Sequence, residues 1–541
     1  MVIKSPYPPV VIPDVDLFTF LFSQKDSIPQ HKDVFVDAVT GNALTYGQLE
    51  SDAKRFSAML QERYAFQPGS VVAIYAPNHL DYAVPLYGVW AAGGVVSPVN
   101  SYYTVDELTH QLELSGARYL VTHPDVLDVA LGATRRANIP NHHLLLYGDT
   151  EVKGIRPYRA LMTEQERNPV KVNPNEIALL NFSSGTTGKS KGVMLTHRNL
   201  VSNMMQIKIY DKGHIDSDRD VQAAAVPLYH MYGLLLIILF ALHHGRKSVI
   251  LPRFDLELFL ASIQKYRVTY APLVPPIILL LAKHPLVDKY DVSSLRKIFS
   301  AAAPLSDELG QELKQRLGIV LRQGYGMTEL SPFTHMAPWD MEDEYGTVGP
   351  LVSNMEAKVV DTNGKEVKAG EIGELWVRGP NVMKGYIKNI EATRETIDPD
   401  GFLHTGDICR YDERGYFYIV DRAKELIKYK GFQVAPAELE ALLLTHPKVA
   451  DCCVIGIYSS DNMTELPCAF VVPKQNIADD KRTLSQELVD FVKARVAHYK
   501  QLRGGVHFVE SIPKSAAGKI LRRVLRSQLP SQSDIKLISK L

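Results

Sequence analysis

Cysteine is scarce in this chain, and no run of apolar residues is long. The 541 residues contain four cysteines, Cys409, Cys452, Cys453 and Cys468, and none has CxxC spacing. This argues against a disulfide framework or a thiolate metal site and favours small buried side chains in a reducing compartment. The longest apolar run, residues 233–242, is shorter than the roughly 20 residues of a membrane helix, so it predicts a buried helix. The proline-rich N-terminus lacks the apolar core of a secretory signal.

The chain also lacks a net charge, because 60 Lys and Arg residues balance 60 Asp and Glu residues. A balanced chain gives no electrostatic argument for nucleic acid or for an anionic membrane as a partner. Hydrophobic residues make up 46% and charged residues 22%, which is typical of globular proteins. We therefore expect no nucleic-acid partner and no transmembrane segment, and the length suggests two or more domains.

Strand-like and helix-like segments alternate along most of the chain. Residues 71–76 are typical of a buried strand and are followed by a helix-like segment, 79–92. Repeated β-then-α order predicts the α/β class, with sheets covered by helices. A charged segment, residues 421–430, precedes about 120 residues of α+β texture. We predict a large N-terminal domain, residues 1–420, and a small mobile α+β domain, residues 421–541.

A segment rich in glycine, hydroxyl groups and lysine follows the strand-like run of residues 177–182. It reads SSGTTGKSKG over residues 183–192. Glycines let a backbone approach a phosphate closely, and hydroxyl and N–H groups donate to its oxygens. A Walker A loop is disfavoured, because its first glycine would have to stand where Ser183 does. The segment therefore predicts a phosphate-binding loop of another kind.

The longer segment SSGTTGKSKGVMLTHRN, residues 183–199, resembles the signature of adenylate-forming enzymes. That superfamily includes acyl-CoA and aryl-CoA ligases, peptide-synthetase adenylation domains and beetle luciferases. Further motifs follow in the family's order, namely QGYGMTE at 323–329, HTGD at 404–407, DRAKELIKYKGFQVAP at 421–436 and KSAAGKILRR at 514–523. The resemblance spans nearly the whole chain and is greatest to the 4-coumarate–CoA ligase-like branch. It implies a ligase that joins a carboxylic acid to coenzyme A through an acyl-adenylate, releasing pyrophosphate and AMP from ATP.

The resemblance also implies a role for each residue that matches a motif. The ATP- and AMP-binding residues would be Ser183, Ser184, Gly185, Thr186, Thr187, Lys191, Gln323, Gly324, Tyr325, Gly326, Met327, Asp407 and Arg422. The catalytic residues would be Lys519, His230, Thr328 and Glu329. Glu329 would also hold Mg²⁺, a cation that prefers oxygen ligands shared with phosphates.

An acyl pocket and a CoA site follow from the same resemblance. The residues expected at the acyl group or the acyl-adenylate are Tyr232, Leu236, Ala302, Phe333, Met336, Lys424, Lys428 and Gln433. Arg253, Lys430 and Gly431 would contact CoA. Lys424 matches the family's hinge, about which the small domain would rotate to exchange Lys519 for a CoA-facing surface.

Three positions depart from the pattern of the coumarate ligase branch. Trp376 stands where the branch carries a cysteine, Leu236 replaces a small polar residue, and 330–333 replaces a segment with small residues. We expect these changes to make the acyl pocket more apolar. They put hydroxycinnamate in doubt and leave an aryl, phenylalkanoic or fatty acid as the predicted substrate.

The last three residues, Ser539, Lys540 and Leu541, form the peroxisomal address S-K-L. They predict import into the peroxisome through its import receptor. Two other functions stay open on this fold. A luciferase-type monooxygenase would emit light with luciferin, ATP and oxygen, and a non-catalytic acyl or nucleotide sensor would release no pyrophosphate.

Overall fold

Two large helix-covered sheets carry most of the predicted motifs. The computed structural model describes residues 2–183, 190–303, 305–341, 345–430, 432–459, 464–474, 481–515 and 518–527. Both sheets contain parallel strands that alternate with helices along the chain. Apolar residues of the two sheets, such as Leu179 and Ile298, belong to one buried cluster. The predicted α/β class is therefore confirmed.

The first sheet has seven strands, and five adjacent strands in it run parallel to one another. In spatial order they are Gly385–Tyr386, Lys191–Thr196, Ile177–Ser183, Val95–Val99, Val71–Tyr75, Tyr119–Thr122 and Leu144–Leu146. The central strands are almost continuously apolar, because helices cover both faces of a parallel sheet. The strands predicted at 71–76 and 177–182 are confirmed.

The second sheet has eight strands and carries the start of the QGYGMTE motif. In spatial order they are Phe333–Met336, Val320–Gly326, Lys297–Ser300, Tyr270–Leu273, Val221–Ala224, Lys247–Ile250, Asp33–Asp37 and Ala43–Thr45. The six inner strands are parallel, and the strand at each edge is antiparallel. The motif therefore ends at the carboxyl edge of a parallel strand, where open α/β sheets bind ligands.

A third sheet, antiparallel throughout, carries the HTGD motif. Its strands are Ile3–Lys4, Glu356–Val360, Gly373–Arg378, Leu403–Tyr411 and Phe417–Arg422. Alternate residues of Gly373–Arg378 are buried, as in a strand with one face on the core. The register places Asp407 opposite Arg422, so two predicted nucleotide-binding residues become neighbours.

Helices cover these sheets, and several begin with a capping box. The α-helices of this part are Leu17–Leu21, Tyr46–Tyr64, Ala83–Ala91, Val105–Ser115, Leu127–Arg136, Tyr158–Leu161, His197–Asp211, Met231–Gly233, Leu256–Tyr266, Pro275–Lys283, Asp307–Leu317 and Ile390–Thr396. Thr45, Thr104 and Thr196 each cap a helix reciprocally with the residue three positions later. The apolar run is a buried helix, as predicted, and its part Leu234–Ala241 is π-helical.

Shorter 3₁₀ turns complete this part of the fold. They are Pro124–Val126, Asn141–His143, Pro285–Lys289 and Thr328–Leu330. Among the residues that the structure describes, no helix combines the length and the apolar character that crossing a membrane requires.

A smaller unit follows, with hydrophobic clusters of its own. It contains the strands Ile427–Tyr429, Phe432–Val434, Val449–Ser459, Thr464–Pro473 and Val506–Phe508, the α-helices Pro436–Leu444, Lys481–Lys493 and Arg522–Ser527, and the 3₁₀ turn His498–Lys500. The large sheet domain and the smaller C-terminal domain are thus confirmed. All four cysteines are buried with free thiols, as their scarcity and spacing predicted.

Candidate functional site

The predicted phosphate loop begins and ends on two paired strands. Ser183 closes the strand Ile177–Ser183 and lies opposite Lys191, the first residue of Lys191–Thr196. The prediction for the residues between them concerns Ser184, Gly185, Thr186 and Thr187, which lie outside the described residues. The antiparallel pairing brings both ends of the motif to one edge of the first sheet.

Glu329 follows a strand of the second sheet and contacts the end of the strand that carries Ser183 in the first sheet. Its carboxylate is 4% exposed, and its Oε1 accepts hydrogen bonds from Ser183 Oγ and Tyr386 Oη, each at 2.9 Å. The Nζ of Lys191 lies 4.8 Å from the ring centroid of Tyr386. Tyr386 was not among the predicted site residues, because it is 57 residues from Glu329 and belongs to no recognised motif. Burial first, and the charge of Glu329 second, raise the pKa of the Tyr386 hydroxyl.

The glycines of QGYGMTE are required by the packing of the chain itself. A Cβ atom at Gly324 would overlap the ring of Phe299, and one at Gly326 would overlap the carbonyl oxygen of Pro332. Packing alone therefore requires glycine at both positions, whether or not the backbone also approaches a ligand. Gln323 is buried, and its Nε2 has no hydrogen-bond partner among the described residues.

The same motif continues into a short 3₁₀ turn. The backbone N–H of Met327 donates to Pro332 O at 3.1 Å. Thr328 and Glu329 follow in this turn with buried side chains. The turn thus holds Glu329 at the edge of the first sheet, within reach of Ser183.

Asp407 is a buried carboxylate between two predicted nucleotide-binding residues. Its Oδ2 accepts a hydrogen bond from Tyr325 Oη at 2.5 Å, and its Oδ1 lies 3.6 Å from Arg422 Nε. Burial raises the pKa of the Asp407 carboxyl, while Arg422 and the Tyr325 hydroxyl oppose that rise. The structure therefore brings Asp407, Tyr325 and Arg422 together from two different sheets.

Lys519 comes from the smaller domain and faces these groups. Burial, and then the charge of Arg422, lower the pKa of Lys519 to about 8, while the charges of Asp407 and Glu329 oppose this shift. Burial, and then the charge of Lys519, lower the pKa of His230 to about 4. Each shift requires the two groups to lie within electrostatic range. Lys519 of the smaller domain therefore lies within electrostatic range of His230 and Glu329 of the large domain.

The loop that carries Lys519 rests on the large domain. Gly518 has a left-handed φ of 77°, and a Cβ atom there would lie 3.2 Å from Pro276 Cδ. Within the loop, the N–H of Lys519 donates to Ser515 Oγ at 3.2 Å. Behind it, Lys514 Nζ bonds Asp451 Oδ2 at 2.7 Å. The hydrogen bonds of the loop thus lie within the smaller domain, and its Gly518 lies beside Pro276 of the large domain.

Aromatic rings form the region predicted to hold the acyl group. Tyr232 Oη donates to the carbonyl oxygens of Phe299 at 2.7 Å and Leu273 at 3.2 Å. The Phe333 ring meets Tyr232 and Phe299 edge to face, with centroids 5.9 and 5.4 Å away. Leu236 and Met336 are buried as well. Ala302 differs, because it is exposed and has a left-handed φ of 74°.

Trp376 does not lie with these rings, so the expectation that it makes the acyl pocket more apolar is wrong. It stands on the third sheet, and its half-buried indole stacks on His404, with centroids 3.7 Å apart and planes 9° apart. The side-chain period of two along a strand turns Trp376 away from its buried neighbour Leu375. The local motif could not reveal which face of the strand this residue takes.

Four other predicted site residues are not brought into this group. Lys424, Lys428, Lys430 and Gln433 are exposed on the smaller domain, and Lys428 pairs with Gln433 across a hairpin. Gly431 lies outside the described residues. Arg253 is exposed between the strand Lys247–Ile250 and the helix Leu256–Tyr266. One arrangement of the two domains thus presents Lys519 to the site and these lysines to solvent.

The chain matches two family descriptions that together span most of its length. Residues 23–387 match the AMP-binding enzyme family, and residues 438–519 match the AMP-binding enzyme C-terminal domain. His230 and Glu329 lie in the first match, and Lys519 ends the second. The predicted domain boundary falls between the two matches and stays a prediction.

Proteins and structures similar to this chain cover nearly all of it. A Dictyostelium discoideum protein named probable 4-coumarate–CoA ligase 1 is 38% identical over 546 residues, 97% of each chain. ATP-bound MatB from Rhodopseudomonas palustris has a TM-score of 0.85 and 30% identity, covering 95% of this chain and 99% of that one. The anthranilate CoA ligase AuaEII with anthranoyl-AMP has a TM-score of 0.88 and 25% identity, covering 98% and 99%. The chain therefore belongs to the adenylate-forming superfamily of AMP-binding enzymes, in the branch of 4-coumarate–CoA ligase-like acid–thiol ligases.

Proposed function

We propose that this enzyme adenylates an aryl or phenylalkanoic acid with ATP and then transfers the acyl group to coenzyme A. The observation that carries the proposal is the position of Lys519. This lysine of the smaller domain lies within electrostatic range of His230, Glu329 and Asp407, which come from three separate parts of the large domain. That position supports a role for Lys519 as the cation that would bind a carboxylate and a triphosphate together.

Adenylation joins a carboxylate oxygen of the acid to the α-phosphorus of ATP, and pyrophosphate leaves. Catalysis of this step is mainly positioning and the neutralisation of developing charge. Lys519 would bind the acid carboxylate and the α-phosphate through its ammonium group. Asp407 would accept hydrogen bonds from the ribose hydroxyls, with Tyr325 and Arg422 fixing its orientation.

His230 would act in this step as a neutral hydrogen-bond donor. Its pKa of about 4 leaves the imidazole uncharged at neutral pH. Its Nδ1 accepts the N–H of Tyr232 at 3.4 Å, so the ring proton resides on Nε2. The Nε2–H can therefore donate to the acid carboxylate without adding a competing cation beside Lys519.

The residues present suit a magnesium ion shared with the phosphates of ATP. Among the described residues, no group of three or more His, Cys, Asp and Glu side chains could hold a metal alone. Magnesium is usually held by one or two carboxylates together with substrate phosphates. Glu329 would supply that carboxylate, fixed by Ser183 and Tyr386. When bound, the ion would neutralise charge on the pyrophosphate leaving group.

An exposed aromatic and basic surface of the smaller domain suits the nucleotide of CoA. Phe432 is 46% exposed and stacks on Tyr499, with centroids 4.5 Å apart and planes 12° apart. Lys428 and Lys430 are exposed on the same hairpin, and the Arg503 guanidinium lies over Tyr429. Stacking and charge of this kind favour a purine with phosphates. We propose that rotation near Lys424 turns this surface toward the acyl-adenylate, where the CoA thiol attacks the carbonyl and AMP leaves.

The aromatic lining supports an aryl or phenylalkanoic acid. The rings of Tyr232, Phe299 and Phe333 meet at angles that offer edges and faces to a flat substrate. The relatives named for coumarate and anthranilate also act on acids of this type. Fatty acids are the alternative that the experiment must separate.

The test is CoA-dependent AMP release, measured across cinnamic, phenylalkanoic, benzoic and fatty acids. We expect the highest kcat/KM with an aryl or phenylalkanoic acid, and no AMP release without CoA beyond the first turnover. Asp407→Ala should abolish the activity. Asp412→Ala is the matched control, because it removes a partly exposed aspartate just after the same strand. Highest activity with long-chain fatty acids would refute the proposed acid class, and no AMP release with any acid would refute the ligase function.

A further inference from the structure

Asp421 connects the large domain to the first helix of the smaller one. It belongs to the strand Phe417–Arg422 of the third sheet, where it pairs with Ile408. Its Oδ2 accepts a hydrogen bond from the backbone N–H of Ala437 at 3.0 Å, in the helix Pro436–Leu444. The side chain is 6% exposed, so this bond is shielded from water.

In the part of the chain that the structure describes, this end of the helix has no other side-chain cap. Its N-cap residue, Ala435, offers none, and Pro436 at its first position has no N–H. The N–H of Ala437 is therefore the first backbone donor of the helix that has no partner within the helix. It lies at the N-terminal end, where the helix dipole favours a carboxylate. Asp421 is the first residue after the predicted boundary at residue 420, but its strand belongs to the third sheet, so the large domain supplies the cap that the helix lacks.

The same helix holds the segment that carries Lys519. Glu440 binds Arg522 through both carboxylate oxygens, at 2.7 and 2.8 Å, and both side chains are largely buried. Arg522 stands three residues after Lys519, and its Nε also donates to Val454 O. Nη2 makes both contacts with Glu440 while Nε bonds Val454 O, so two nitrogens of the guanidinium are held by the helix and the neighbouring strand. The helix therefore transmits its own orientation to the catalytic lysine.

We propose that Asp421 is a positioning residue that holds the smaller domain in the orientation required for adenylation. The proposal rests on the proposed two-step function. Asp421 and Ala437 lie on opposite sides of the predicted hinge at Lys424. Rotation about that hinge would separate the carboxylate from the helix, so the bond stabilises only the orientation in which Lys519 reaches the site.

The test compares the two half-reactions in the variant Asp421→Ala. Acyl-adenylate formation is followed by acid-dependent exchange of pyrophosphate into ATP, and thioester formation by adding CoA to chemically prepared acyl-adenylate. Loss of one side-chain cap typically shifts an equilibrium by a factor of about 2 to 30. We expect acyl-adenylate formation to slow by about tenfold, while thioester formation keeps or exceeds the wild-type rate.

The ratio of the two rates is the decisive quantity, because both are measured on one preparation and partial unfolding lowers both alike. The matched control is Asp16→Ala, which removes an equally buried carboxylate cap from a helix inside the large domain. We expect its ratio to equal that of the wild type. An unchanged ratio in Asp421→Ala would overturn the positioning role. Absence of pyrophosphate exchange in the wild type would instead overturn the proposed function.

Discussion

Replacing Lys519 by alanine should stop adenylation and spare thioester formation. In the structure the ammonium group lies within electrostatic range of Asp407, Glu329 and His230. Its pKa of about 8 leaves roughly nine-tenths of the molecules charged at pH 7. The alanine variant therefore removes a cation that is present in most of the wild-type molecules.

The magnitude follows from the surroundings of the group. Lys519 is half-buried, and the backbone of its loop lies beside Pro276 at Gly518, so the loop is in position before the reaction. Removing one preorganised donor of this kind costs a factor of about 10²–10³ in rate. We expect acyl-adenylate formation to fall by that factor. Thioester formation from prepared acyl-adenylate should stay within about twofold, because in the second orientation the loop is displaced from the site.

The assay must measure the half-reactions separately, since the overall rate falls in either case. Lys493→Ala is the matched control in the smaller domain, because Lys493 is an exposed lysine at the end of the helix Lys481–Lys493. It should retain both half-reactions. Equal loss of both half-reactions in folded Lys519→Ala would refute the two-orientation mechanism. Retention of both would show that Lys519 is an ordinary surface lysine.

Three further predictions concern pH, packing and targeting. Because only charged Lys519 supports adenylation and its pKa lies near 8 instead of 10.5, kcat/KM for ATP should fall as pH rises through about 8, while Lys519→Arg should show no such fall. Gly326→Ala should lower the free energy of unfolding in urea by about 1–3 kcal/mol, because the new methyl would overlap Pro332 O, whereas Gly364→Ala, in open space with a φ of 77°, should cost about 1 kcal/mol. Deleting Leu541 should leave activity unchanged and move the protein to the cytosol, and continued peroxisomal import would contradict that address.

The sequence alone determined what depends on neighbouring residues. The alternation of strands and helices and the buried apolar helix could be predicted, because side-chain periodicity acts over a few positions. The motifs identified the family for the same reason, since each is a contiguous segment. Asp407 and Lys519, which are far apart in the sequence, could be assigned to one site only because their motifs follow the order of a known family.

Only the tertiary structure decided which distant residues share one site. Tyr386 contacts Glu329 because the two-residue strand Gly385–Tyr386 pairs at the edge of the first sheet. Trp376 faces His404 because strand register, set by the whole sheet, decides which side each residue takes. Asp421 caps a helix that begins 15 residues later, across a boundary between two cores. Such contacts arise when separate elements pack together, and periodicity within one element does not contain that information.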